Sequence, residues 1–429
     1  MHLLHLAVLL AALQTPTRLD STQVAHVLAQ LQTSDSTVCE LAGQALTNFG
    51  GFWNLGRGWG PWRSSMTMPR PTPTPMPMPG GGGGPGVHVM KGMMHDRDDS
   101  RYASTLGAYR AVLRSENGCV RNIAARVLGQ YGGAGTYELF LSLLKDAKPE
   151  LRQTGALGLG ELEDSRAIKP LSDALGDAEV AVRATAAWAL GEIEEEVAID
   201  PLTGALRDRA PEVRRTAAWA LGQIEHVRAV RPLGTALGDE AVEVRVAAAW
   251  ALGEIEDVAG VAPLAAATKD RDPKVRQTVA WALGEIESAQ GVTPLGALVR
   301  DPVIEVRKTA LWALGEIEDA SGVPLAAAGL KDDDADVRVM AGWALGEIES
   351  VSGVEFLAAA LKDPDVEVRM TAAWALGEIE SPLALEPLKA AQQDASASVR
   401  RAASWALRQI DDENDHHKVR VRVRPKVKL

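Results

Sequence analysis

Side chains able to do metal or redox chemistry gather in a few places. Between residues 51 and 100 lie Met66, Met68, Met76, Met78, His88, Met90, Met93, Met94 and His95, which include seven of the chain's ten methionines. Thioethers are soft ligands suited to Cu(I), and imidazole accepts several metals. The runs Met66-Thr67-Met68, Met76-Pro77-Met78 and Met90 to His95 therefore read as copper-carrying clusters. They read equally as low-complexity linker, since no fixed ligand spacing orders them. Cys39 and Cys119 are the only cysteines, and they are either a disulfide, which needs an oxidising compartment, or two buried thiols. No phosphate loop, Gly-x-Ser-x-Gly or His-Glu-x-x-His occurs, so neither a catalytic residue nor a cofactor is expected. His226, alone after a helical run, reads as a solvated side chain.

A larger set of candidates is periodic. Trp188, Trp219, Trp250, Trp281, Trp312, Trp343, Trp374 and Trp405 follow one another at steps of 31 residues. Beside them run Glu161, Glu192, Glu254, Glu285, Glu316, Glu347 and Glu378, with Gln223 and Gln409 breaking the row. Ring faces and carboxylates both attract cations. A surface built from the two suits an extended Lys/Arg-bearing or Pro-rich peptide. The other reading is mortar, each indole lying flat on the next repeat.

The elements that position these residues follow from the same period. A repeat of this length marks a stack of supersecondary units. In Pro201 to Asp208, apolar residues recur at helical spacing behind a first-turn proline, giving helix A. After a short turn, Val213 to Ile224 forms helix B. On a helical wheel Val182, Ala186, Ala189, Leu190 and Ile193 share one stripe, and Trp188 falls almost opposite, beside Glu192. The wheel thus turns the indoles away from the core of their own repeat, and the expectation is an outward-facing ladder.

Other repeated positions read as structural. An aspartate ends each helix A six residues before the arginine of helix B, as in Asp177/Arg183 and Asp301/Arg307. Such pairs can form charge-assisted hydrogen bonds along the stack. Gly191 and its equivalents cost helix propensity, about 1 kcal/mol relative to Ala, which implies close approach by a neighbouring helix or indole.

Val-Arg recurs every 31 residues from Val120-Arg121 to Val399-Arg400, with Leu151-Arg152 as its one variant, and defines ten units over residues 101–411. A degenerate unit precedes them at 15–50, with Val38-Cys39 in the Val-Arg position. The Gly/Pro/Met/Trp-rich stretch 51–100 between them cannot bury a core and is expected to be disordered. Residues 412–429 hold an acidic patch and then a tail with six Lys/Arg. That tail suits a sheet edge, an anionic lipid or polymer, the protein's own acidic groove, or plain solvent. Residues 1–14 read as a signal-peptide h-region, which implies export to the periplasm or beyond, or else as a capping helix. A net charge of −12 argues against broad nucleic-acid binding, and no apolar run is long enough to span a bilayer.

The unit Val-Arg-x-x-Ala-Ala-x-Ala-Leu-Gly-x-Ile, behind x-Pro-Leu-x-x-Ala-Leu, resembles the short HEAT-like repeat of the phycobilin lyases and of consensus artificial HEAT-repeat binders. The resemblance covers about residues 103–411, and 21–50 loosely. It implies an all-α, right-handed α-solenoid of about eleven helix pairs. It also implies that helix B lines a concave face whose variable binding positions include Trp188 and its equivalents. The function expected is a non-enzymatic protein-interaction scaffold in an exported bacterial protein. Metal handling through the insertion and a bilin-lyase activity are the alternatives.

Overall fold

A computed structural model of the chain describes residues 21–32 and 100–422. The stretch 51–99 with all its Met and His candidates, the N-terminal 1–14, Cys39 and residues 423–429 lie outside the described residues.

Every regular element among the described residues is helical. The chain divides into two compact units, with the boundary between Ile224 and Glu225. The first holds α1 (Ser21–Gln32), α2 (Ser100–Val112), α3 (Gly118–Tyr131), α4 (Thr136–Leu144), α5 (Pro149–Glu161), α6 (Ile168–Ala174), α7 (Val180–Glu192), α8 (Ile199–Ala205) and α9 (Pro211–Gln223). The second holds α10 (Val230–Ala236), α11 (Val242–Glu254), α12 (Val261–Ala267), α13 (Pro273–Glu285), α14 (Val292–Leu298) and α15 (Ile304–Ile317). It continues with α16 (Val323–Gly329), α17 (Ala335–Glu347), α18 (Val354–Ala360), α19 (Val366–Glu378), α20 (Leu385–Ala391) and α21 (Ala397–Arg422). No described helix is long and apolar enough to cross a membrane.

Each inner repeat is a seven-residue helix A entered through a 3-10 turn, then a thirteen- or fourteen-residue helix B. Within a repeat, A packs on B; within each unit, B packs on the next B. The expected all-α stack of helix pairs is therefore present. Val182, Ala186, Ala189 and Leu190 are fully buried, as the wheel required. In the first unit α1 packs on α2, and Asn117 Nδ2 donates to Leu31 O at 3.4 Å. The first described helix thus packs against the start of the ten-unit array.

The B helices from α5 to α19 stop the same way. At or just after the C-cap stands a glutamate in the left-handed region, as at Glu194 (φ 53°), Glu287 (φ 49°) and Glu318 (φ 53°). Glycine is the usual occupant, since a side chain there costs roughly 1–2 kcal/mol. Two residues after the positive-φ position the chain enters the 3-10 turn. An Asp, Ser or His at its cap accepts an N–H, as Asp257 does from Ala259 at 2.8 Å.

Arg408 stands where the preceding repeats have glycine, and Arg401 and Arg408 are exposed.

Candidate functional site

The Trp/Glu side of helix B follows from how consecutive B helices touch. A Cβ placed on Gly191 would lie 2.8 Å from Ala220 Cα and 3.0 Å from Trp219 Cζ3. In the second unit a Cβ on Gly284 would lie 2.8 Å from Trp312 Cζ3 and 3.0 Å from Ala313 Cα. The same contact recurs from Gly253 to Trp281, from Gly346 to Trp374 and from Gly377 to Trp405. Each glycine is a seat for the following repeat's indole, which is the return on the helix propensity it gives up.

The outward-facing indole ladder is therefore corrected. Trp188, Trp219, Trp281 and Trp312 are between 2 and 8% exposed, and Trp250, Trp343, Trp374 and Trp405 are half-buried. The wheel rightly turned them from their own repeat's core, but the opposite direction holds another repeat rather than solvent. Four of the eight indoles are thus almost wholly covered, and the other four keep only part of their surface. Their main role is to bind one B helix to the next, and a buried aromatic of this size contributes about 3–5 kcal/mol on the scale of truncation to alanine.

What helix B leaves at the surface is carboxylate. Glu192, Glu254, Glu285, Glu316, Glu347 and Glu378 are half-buried at its last turn. Two residues on, the left-handed Glu194, Glu256, Glu287, Glu318 and Glu349 are exposed. Within the second unit the two sets recur one per repeat, the left-handed glutamates keeping the same 31-residue spacing. Burial, then the negative field of Glu285, Glu225 and Glu256, pushes Glu254 up to about 7. Burial, then Glu161, Glu163 and Glu194, pushes Glu192 up to about 8.

On the other edge runs the Arg–Asp ladder. Arg276 Nε donates to Asp301 Oδ2 at 2.6 Å and its Nη2 to Oδ1 at 2.9 Å, while Nη1 donates to Asp270 O at 2.8 Å. Arg183 makes the same set with Asp208 and the carbonyl of Asp177. The arginine therefore caps its own turn through the backbone and reaches 25 residues ahead for its carboxylate. That aspartate also accepts the N–H two residues on, as Asp301 does from Val303 at 3.0 Å. Burial alone would raise the Asp301 carboxyl, but the Arg276 and Val303 hydrogen bonds outweigh it and hold the group below its usual value. The ladder fails at its start. Asp146 is taken by Arg114 at 2.8 Å, and Arg121 Nε is buried with no hydrogen-bond partner among the described residues.

Of the other candidates, Cys119 is disulfide-bonded, and its only possible partner within the chain, Cys39, lies outside the described residues. His226 does more than sit in solvent, since its Nδ1 accepts from Arg228 N at 3.1 Å and caps a 3-10 turn. Among the described residues no group of three or more His, Cys, Asp or Glu is placed to hold a metal.

Comparison with known proteins agrees with this geometry. The profile of HEAT repeats matches residues 108–182, 137–211, 203–270, 261–335 and 323–408. Importin beta is similar at 14% identity and a TM-score of 0.55, over 90% of this chain and 57% of that one. An engineered protein is 25% identical over 71% of this chain and 98% of its own, with a TM-score of 0.42. The CpcE–CpcF phycocyanin lyase complex from Nostoc sp. is 23% identical over 57% of this chain and 94% of the matched one, with a TM-score of 0.33. The importin likeness is one of fold. No curated protein sequence matches the chain.

Proposed function

Since the chain belongs to the HEAT-repeat family, we propose that it is a non-enzymatic protein-interaction scaffold whose docking surface is the C-terminal edge of the B helices. The observation that carries this reading is the double row of carboxylates. In the second unit Glu254, Glu285, Glu316 and Glu347 recur one per repeat, each with a left-handed glutamate two residues on. A periodic acidic edge suits a periodic cationic ligand, an extended segment rich in Lys or Arg. The uniformity of the rungs favours charge and spacing over side-chain identity, so the fit is to a class of segment. The indoles serve this surface by fixing the distance between rungs, roughly 8–10 Å for packed helices. Their burial, near-complete at four rungs and partial at the others, leaves little ring surface for a Pro-rich segment, so the basic ligand is the one retained.

The test is a fluorescence-anisotropy titration of the whole protein with a labelled Lys/Arg-rich peptide at low and high salt. A fivefold Glu→Gln variant at 254, 285, 316, 347 and 378 serves as comparison. Gln already stands at this register at Gln223 and Gln409, so the variant is expected to fold. Affinity should fall at least tenfold in the variant and with added salt. Equal binding by both proteins removes the edge from consideration.

A further inference from the structure

In the second unit each B helix from α11 to α19 carries the next B helix on one side. The same side of α21 is open among the described residues. α19 and α20 pack on α21 from behind, while Arg400, Arg401, Arg408 and Asp411 are exposed and Ser404 is half-buried. The helix runs for 26 residues, against 13 in α19.

Charge along this open side is sorted. Arg400 and Arg401 stand near its N-terminal end, and Asp411 and Asp412 follow eleven residues on. Eleven residues are about three turns of an α-helix. Position 411 therefore returns to the flank of 400, and position 412 to the flank of 401. Positions 404 and 408 fall between them on the same side. A helix patterned in this way complements itself when turned end for end.

Arg400 adds a separate sign. Arg245, Arg276, Arg307, Arg338 and Arg369 each give Nε to an aspartate 25 residues ahead. Arg400 keeps the backbone anchor of the ladder, its Nη1 donating to Asp394 O at 2.7 Å and to Ala395 O at 2.8 Å. The position 25 residues ahead of it is Pro425, and among the described residues no carboxylate meets its remaining donors. The guanidinium is thus oriented for a bidentate carboxylate that its own chain does not bring.

We propose that the open side of α21 is an interface with a second copy of this chain, the two α21 helices packing antiparallel about a two-fold axis near position 406. Arg400 of one copy then meets Asp411 of the other, Arg401 meets Asp412, and Ser404 meets Arg408. Two-fold symmetry makes each pair twice. A parallel arrangement would set arginine on arginine and aspartate on aspartate, so the order of charges selects the antiparallel one. Ion pairs at such a surface are individually weak and screened by salt, so the association is salt-sensitive. This surface is separate from the carboxylate edge, and the two can fail independently.

The experiment is sedimentation velocity on the full chain over a range of concentrations, at low and high salt. It compares the wild type, Arg401→Glu, Asp412→Lys and an equimolar mixture of the two variants, with circular dichroism as the check on folding. The wild type should dimerise at low salt and dissociate at high salt. Each variant alone should weaken the dimer at least about tenfold, because like charges then meet at two places. The mixture should recover association, since each reversed charge meets its opposite while Arg400 and Asp411 are untouched. A wild type that stays monomeric at low salt refutes the interface. So does a dimer that neither variant weakens, or a mixture that associates no better than the variants alone. Association that survives both variants but is lost in the fivefold Glu→Gln protein belongs to the carboxylate edge, and refutes the pairing of α21 as well.

Discussion

The seat of the indole on the preceding glycine can be tested by adding one methyl group. Gly284→Ala in α13 would place a Cβ 2.8 Å from Trp312 Cζ3 and 3.0 Å from both Cα and Cβ of Ala313. Two of these atoms belong to a packed helix backbone and its first carbon, which cannot swing aside. In an open helix the change gains about 1 kcal/mol of propensity. Here overpacking costs about 1–3 kcal/mol, so the net effect is neutral to destabilising by about 2 kcal/mol. Gly204→Ala in α8 is the control, because a Cβ there meets nothing within 4 Å. It should stabilise by up to about 1 kcal/mol. Trp312→Ala should cost about 3–5 kcal/mol, and in that background Gly284→Ala should become less costly by about 1 kcal/mol, the coupling of a touching pair. Denaturant unfolding followed by far-UV circular dichroism reads all four changes, the indole being unsuitable as a probe. Repeat arrays need not unfold in one step, so the comparison is of midpoints at equal slope. If Gly284→Ala stabilises as Gly204→Ala does, and by the same amount with or without Trp312, the contact has no energetic role and the account of the glycines fails.

Asp301→Asn leaves the part-buried Arg276 fork facing a neutral amide and should cost up to about 3 kcal/mol, the lower end for breaking a buried pair; an unchanged midpoint would make the ladder ornamental. Because the Asp301 carboxyl is held below its usual value, its contribution is present above the ordinary aspartate range and lost as pH falls through the folded value. The wild type should therefore lose its lead over Asp301→Asn in acid, as seen in thermal melts from pH 6 to pH 2. Glu287→Gly removes a side chain from a left-handed position (φ 49°) and should stabilise by about 0.5–1 kcal/mol, a gain that disappears if the turn relaxes. Since Cys119 is disulfide-bonded, alkylation without reductant should add no mass, and after reduction should add two adducts; one or two adducts without reductant would contradict the bond.

The period, the helix pair, the Arg–Asp rungs and the purpose of the small Gly191 position were legible in the sequence, because each recurs every 31 residues and local patterning suffices to interpret it. The direction in which Trp312 faces was not. A helical wheel represents one neighbour, the partner helix of the same repeat, and treats every other direction as solvent. In a stack the side away from that partner meets the adjacent B helix, and only packed coordinates show that this neighbour covers the ring. The reach of Arg276 to the aspartate of the neighbouring repeat, 25 residues ahead, agrees with the ladder read along the stack, and the structure adds its bond to the backbone carbonyl of the aspartate six residues behind. The left-handed glutamates were invisible for another reason. Their conformation is imposed by where helix B must end against its neighbours, and it overrides the preference that would have marked the position with glycine. Sequence alone determined what repeats; tertiary structure decided what each repeat touches, because those contacts lie between copies of the motif rather than within one.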